Sequence, residues 1–404
     1  MTKRILTFLL VISGFSAAFA QGDTVAVEKK TTLVDRLHQG QQYLDSAAKR
    51  KVDPRYIEVP AKPWRVILRY KNSEFDVDYN NSIIDPSTGE RADWQLRFEP
   101  PMASSVGIWA GYRGTGLSIA KSLKKKEGTT FAFSTTGTKY GFNLRYRKYK
   151  IDKVSFNATL YEHDKKIDHI EEEGYMPSPV KIGSLYLNGY YVFNGRRYSQ
   201  AAAYNQSVIQ RRSAGSFLVG ATWYMSSFNF ANKENAPFIV LSHNMNRIQL
   251  HQANIGVGYG YNLVPFRGFV VNAMVMPTVS AYNRVKTYKY SSNYKLIGDE
   301  NEINDYGEWN SQTHTWANGK TQKPLGLDNN ESDWMNDVEL WEGESETSYG
   351  KIQFNVDLRL GIAYNWSNYF IGLQAQLNQF SLKKDQCKVD ILDAYARLSL
   401  GIRL

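Results

Sequence analysis

Runs of strict two-residue alternation recur through this sequence, and in each run one parity is apolar or aromatic while the other is mostly polar, charged or glycine. At the C-terminal end Ala396, Leu398, Leu400, Ile402 and Leu404 share one face, opposite Tyr395, Arg397, Ser399, Gly401 and Arg403. Phe354, Val356, Leu358, Leu360, Ile362 and Tyr364 likewise oppose Gln353, Asn355, Asp357, Arg359, Gly361 and Ala363. Ala253, Ile255, Val257, Tyr259 and Tyr261 oppose Gln252, Asn254, Gly256, Gly258 and Gly260, and Tyr140, Phe142, Leu144 and Tyr146 oppose Gly141, Asn143, Arg145 and Arg147. Strand side chains point alternately to two faces, so these runs predict strands between two unlike environments.

A soluble β-sandwich also alternates, but three features favour a bilayer. The runs are long, and a tilted membrane-spanning strand needs roughly 9–11 residues. The non-apolar face is rich in glycine and charge, and aromatics gather at strand ends, where the membrane interface holds them. A closed barrel also pairs every backbone group, as a bilayer demands. Aromatics at 14% and 30 glycines agree. The mean hydropathy of −0.46 does not conflict, because alternation cancels in any average. The expected fold is all-β: a transmembrane antiparallel β-barrel of about 12–14 strands with a short N-terminal helical segment.

Residues 1–20 read as a Sec-type signal peptide: Lys3 and Arg4, an apolar stretch from Ile5 to Phe15, then Ala18-Phe19-Ala20 before Gln21. Loss of Lys3 and Arg4 takes the net charge from +10 to +8. Cys387 is alone, which excludes an intramolecular disulfide. Residues 21–63 are expected to be a partly helical periplasmic segment. Leu33, Val34, Leu37, Tyr43, Leu44 and Ala47 give a near-helical repeat that ends at Asp53-Pro54. Residues 64–404 form the expected barrel.

Counting back from a periplasmic C-terminus gives fourteen strands, at 64–78, 92–99, 104–112, 114–122, 128–136, 139–149, 153–163, 181–194, 215–227, 248–261, 268–283, 351–366, 369–382 and 391–404. The short members between 92 and 122 leave twelve equally open. In this register residues 284–350 form a long extracellular loop, and Tyr191, Phe193, Tyr259, Tyr261, Tyr364 and Trp366 form a periplasmic girdle. One twenty-residue connection, 195–214, falls against the trend on the periplasmic side.

The run Tyr191-Val-Phe-Asn-Gly-Arg-Arg-Tyr-Ser-Gln-Ala-Ala-Ala-Tyr-Asn-Gln-Ser-Val-Ile-Gln-Arg-Arg-Ser-Ala-Gly-Ser-Phe-Leu218 resembles a secreted, uncharacterised family of Bacteroides-type bacteria called domain of unknown function 4421. Asp53-Pro-Arg-Tyr-Ile-Glu-Val-Pro60 and Trp64-Arg-Val support the same match, from about residue 53 onward. The resemblance implies a signal peptide and an outer-membrane barrel. It implies no activity and no catalytic residue.

The residues themselves offer several sites. Arg65, Arg69, Arg397 and Arg403 are expected to line the seam of the first and last strands, with Arg359 two strands away. Clustered guanidinium groups in a pore favour anions. The preferred reading is instead that they pair with acids such as Asp76, Asp78 and Asp357 across a filled lumen, since unpaired interior charge is costly. Residues 199–213 could form a short helix that narrows the lumen, with Arg211 and Arg212 in the pore or near lipid headgroups, or an ordered connection.

Chemistry is harder to find. Ser199, Ser207 or Ser213 with His243 or His251 could build a hydrolase, yet no nucleophile motif surrounds them, and no enzyme is expected. Asp328, Glu331, Asp333, Asp337 and Glu339 lack calcium-loop spacing, and the histidines, His163 and His169 among them, lack zinc-ligand spacing; neither metal nor cofactor is expected. From Asp299 to Gly350 thirteen acids face only Lys320 and Lys323, with Trp309, Trp316, Trp334 and Trp341 interspersed. Four tryptophans favour a folded, contact-making loop over a disordered one.

The function expected is a narrow channel or transporter with a charged lumen, in the outer membrane after Sec-dependent export. A closed surface-binding or structural barrel is the alternative, and a membrane-embedded lipid hydrolase the third reading. Expected partners are outer-membrane lipids, the barrel-assembly machinery during biogenesis, and an extracellular ligand at loop 284–350; nucleic acid is not among them. Leu400 is expected to face lipid, and Ser399 a lumen that tolerates charge.

Overall fold

A computed structural model describes residues 39–42, 44–46, 52–84, 91–98, 103–123, 128–162, 164–242, 244–296, 305–325, 334–384 and 387–404. The expected signal peptide, most of the expected N-terminal helix, His163 and His243 lie outside the described residues; residues 39–42 and 44–46 are helical.

Twelve strands close into a ring: β1 (Trp64–Ile84), β2 (Ala103–Tyr112), β3 (Thr115–Ser122), β4 (Thr129–Thr136), β5 (Tyr140–Glu162), β6 (Lys165–Val192), β7 (Ala214–Asn229), β8 (Met245–Leu263), β9 (Phe269–Ser292), β10 (Phe354–Trp366), β11 (Tyr369–Lys384) and β12 (Cys387–Arg403). Each pairs antiparallel with its neighbours, and β1 pairs with β12 to shut the ring. Two of the fourteen expected strands are absorbed. The strands expected at 139–149 and 153–163 are replaced by one continuous β5, Tyr140–Glu162, and Arg91–Phe98 stands outside the main circuit.

The ring has a turn end and a loop end. Arg113 and Ser367 adopt left-handed φ values of 57° and 50° in the two-residue turns β2–β3 and β10–β11. The long connections gather at the loop end. There Arg91–Phe98 pairs directly with β1 and β5, taking the place that β2, β3 and β4 hold at the turn end. Three strands are thus replaced by one. A barrel of fewer strands is narrower, and a narrow barrel fills with side chains. Trp94, Leu96, Ile182, Tyr186, Tyr224, Phe228, Ile248 and Leu250 form one buried apolar cluster in this half, and Ile239 joins it from a short helix, Ala236–Leu241.

The outside of the ring is the apolar side. On β8 the outward face reads Arg247, Gln249 and His251, then Ala253, Ile255, Val257, Tyr259, Tyr261 and Leu263. Across the ladder Ala253 sits opposite Tyr282 on β9, beyond which the outward residues are Arg284 and Lys286. The polar-to-apolar change therefore falls at one level on both strands, and about ten residues below it match a bilayer crossing. At the turn end the band finishes in exposed aromatics, among them Trp64, Tyr191, Phe193, Tyr259, Tyr261, Tyr364 and Trp366, as the girdle reading requires.

The connection read as 284–350 is shorter than expected. Residues 284–292 belong to β9 and pair with the strand Leu340–Tyr349, which carries the wall past the apolar band. Between them Trp316, Tyr306, Tyr294 and Leu325 form a small buried core, with Trp309 and Trp334 packed against it.

Candidate functional site

The twenty-residue connection at the turn end folds into the ring. Asn194 begins the turn: its carbonyl accepts from Arg197 N (3.1 Å) and Tyr198 N (3.0 Å). One helical turn follows, α1 (Ala201–Tyr204), whose Ala201, Ala202 and Ala203 are completely buried. Small residues let its backbone approach the wall, and glycines on the wall's inner face receive it. A Cβ at Gly361 would lie 3.1 Å from Ala203 Cβ, and one at Gly260 would lie 2.2 Å from Tyr198 Oη. This accounts for part of the glycine on the polar parity.

Wall side chains hold this plug by its backbone. Gln374 Nε2 donates to the carbonyls of Ala203 (3.0 Å) and Tyr204 (2.8 Å). Arg65 donates to the Asn205 carbonyl and to that of Arg113, and Arg403 donates to Gln206 O (3.1 Å) and Asn365 Oδ1 (2.5 Å). Arg397 donates to Tyr204 O (3.4 Å) and to Gln374 Oε1. Cations and amides thus satisfy the carbonyls that a helix leaves bare at its C-terminal end. Tyr198 and Tyr204 both meet Asn272, through Nδ2 to Tyr198 Oη (3.0 Å) and from Tyr204 Oη to Oδ1 (2.6 Å).

The N-terminal segment covers the plug from below. Ile57–Glu58 pairs with Ile209–Gln210, Ile57 packs on Ala201, Ala202 and Val208, and Arg211 meets Glu58 at 2.8 Å. Arg55 donates to Asp53 and holds its carboxyl at about 2. Both sequence runs that carry the family resemblance therefore meet here, one as plug and one as cover.

The seam arginines stand where alternation put them, with Arg65 opposite Arg403 across the β1–β12 ladder. Of the expected acid pairings one is present, Arg359 with Asp357, and the four arginines at the seam itself find other partners. Asp78 binds Arg97 (2.7 Å), Asp357 binds Arg359 (2.6 Å), and the side chain of Asp76 lies outside the described residues. Arg65, Arg397 and Arg403 take plug carbonyls instead, because the plug brings orphan acceptors within reach. Arg69 packs against Trp109, 5.4 Å from the ring centroid, and its Nε has no partner among the described residues. Arg211 and Arg212 lie exposed at the turn end rather than in the lumen.

One carboxylate escaped the sequence reading: buried Asp393 binds Arg145 and, at 2.9 Å, Arg147. It shares the parity of Tyr395 and Arg397, so extending that run by one step would have found it.

Ser199 is buried in the plug, whereas His251 faces outward on β8, so this nucleophile and base are not brought together. Of the four loop tryptophans, Trp316 is buried and donates to Asn293 O (3.0 Å), and Trp309 stacks on Trp341 at 5.9 Å. Ser311 donates to Glu339, and with Trp309 it lowers that carboxyl's pKa. These residues build the loop's own core.

Between plug and apolar cluster lies a cavity of about 130 Å³. Apart from Trp109, its wall on the β2–β4 side is made mostly of small residues, among them Ser105, Ser118, Ala120, Thr130, Ala132 and Ser134, which is why space remains there.

A closed antiparallel ring, apolar outside and polar within, filled by its own chain, defines a plugged β-barrel of the outer-membrane type. The chain belongs to the family described as Domain of unknown function (DUF4421), whose model matches residues 51–403. No curated protein matches it. Among solved structures it is similar to the outer membrane protease OmpT from Escherichia coli, with 7% identity, a TM-score of 0.35, and 85% of this chain and 97% of that one covered. The translocator domain of autotransporter NalP from Neisseria meningitidis gives 6% identity and a TM-score of 0.27, covering 92% and 96%. The β domain of the Bordetella autotransporter BrkA gives 6% and 0.30, covering 85% and 100%. The ring itself is defined by the chain's own strand ladders.

Proposed function

We propose that the chain is an outer-membrane barrel that is closed in its resting state and works through its loop end, as a surface-binding or structural module and not as an enzyme. The observation that carries this reading is the lumen, filled at the turn end by the buried run Tyr198–Val208 and at the loop end by the Tyr186–Tyr224–Phe228 cluster. The apolar outer band and its aromatic edge support residence in a bilayer, with the turn end periplasmic and the self-packed tryptophan loop outside.

One feature favours a second reading, a gated transporter. The plug's seat is largely polar, made of Asn, Gln and Arg contacts that water can replace, so the plug could leave without exposing a large apolar surface. Planar-bilayer recording of the purified full chain separates the two. A closed barrel is expected to be silent; steady conductance would contradict it.

A further inference from the structure

The central cavity is lined by five cationic side chains, Arg69, Lys71, Arg145, Arg359 and Arg397, and by no carboxylate. Three of them converge on one ring: Lys71 Nζ lies 4.5 Å, Arg145 Cζ 5.6 Å and Arg397 Cζ 5.8 Å from the centroid of Tyr395. Two acids stand behind this wall. Asp357 is engaged with Arg359, and Asp393 is shared by Arg145 and Arg147. Arg69 is 9% exposed, and its Nε and that of Arg397 have no partner among the described residues.

Burial of cations without counter-charge is costly, and clustering adds mutual repulsion. Two carboxylates do not balance six cations, and a singly charged ion would change this little. A dianion brings two charges and several acceptor oxygens, which suits guanidinium groups that offer forked donors. With roughly 10–15 Å³ needed for one water, the cavity has room for a ligand of several heavy atoms. Serine and threonine hydroxyls on the β2–β4 side provide further donors.

We infer that the chamber is a binding site for a small phosphate, as orthophosphate or a phosphomonoester. Entry requires the plug's hydrogen-bonded seat to open transiently, which does not require steady conductance, so a barrel silent in planar bilayers is compatible with the inference.

Equilibrium dialysis of the full chain in detergent with radiolabelled orthophosphate, at low chloride, tests it. One saturable site is expected. Phosphate should raise the thermal unfolding midpoint above that in chloride of equal ionic strength. Glucose 6-phosphate should displace the label. An Arg69→Gln/Lys71→Gln double variant should bind at least tenfold more weakly, while Lys289→Gln, at the exposed loop end, should bind as the parent does. Absence of saturable binding, or equal affinity in the double variant, would overturn the inference. Should that variant not fold, the parent protein still decides, because stabilisation no greater than chloride's overturns it as well. Displacement by dihexanoyl phosphatidic acid but not by glucose 6-phosphate would assign the phosphate to lipid and overturn the small-ligand reading.

Discussion

Arg65 and Arg403 face each other across the seam, an arrangement that like charges would resist without their carbonyl partners. Alternation alone predicted that both point inward. It could not supply their partners, because Asn205 lies 140 residues along the chain from Arg65. Ser399 teaches the same lesson. Its inward parity is as expected, but it is only 1% exposed beside the packed turn-end lumen, so Ser399→Arg is expected to fail like Leu400→Arg rather than be tolerated. A cleaner pair lies on the outward face of β8. Val257→Arg, near mid-band, should cost about 2–4 kcal/mol, and Gln249→Arg, above the band, about 0–1 kcal/mol. Urea unfolding in lipid vesicles measures both. Equal costs would mean that the face does not meet lipid.

Among the elements, the long strands were the most legible, since ten-residue alternation survives every local accident. The short strands β2–β4 and Arg91–Phe98 were placed within about a residue of their bounds, but that Arg91–Phe98 leaves the main circuit was not legible, because its pairing depends on where the wall narrows. The plug was half legible. Ala201 to Ala203 pointed to a short helix, but its depth is set by Gly260 and Gly361, distant in sequence. Depth can be read directly. In a Cys387→Ser background, Ala202→Cys should resist maleimide labelling in the folded barrel and react on unfolding, since Ala202 is fully buried. Rapid labelling of the folded protein would show a surface connection instead. The loop tryptophans were recognised as marks of folding, but the core in which Trp316 meets Val240, Tyr294, Tyr306 and Leu325 joins segments too far apart in sequence to be read from it.

Over the whole molecule, one sequence of alternating residues serves two solvents. Outside, Val257, Leu400 and Ile371 are matched to lipid; inside, arginines, asparagines and glutamines are matched to a plug made of the same chain. The taper from three strands to one between β1 and β5 explains why the loop end is sealed by hydrocarbon while the turn end is sealed by hydrogen bonds. All of this presumes a bilayer around the ring. The most direct test is fractionation of the native host, with urea-washed membranes separated by density and the protein run on gels with and without boiling. Recovery in the outer-membrane fraction with heat-modifiable mobility is expected; recovery in the soluble periplasmic fraction would contradict the account.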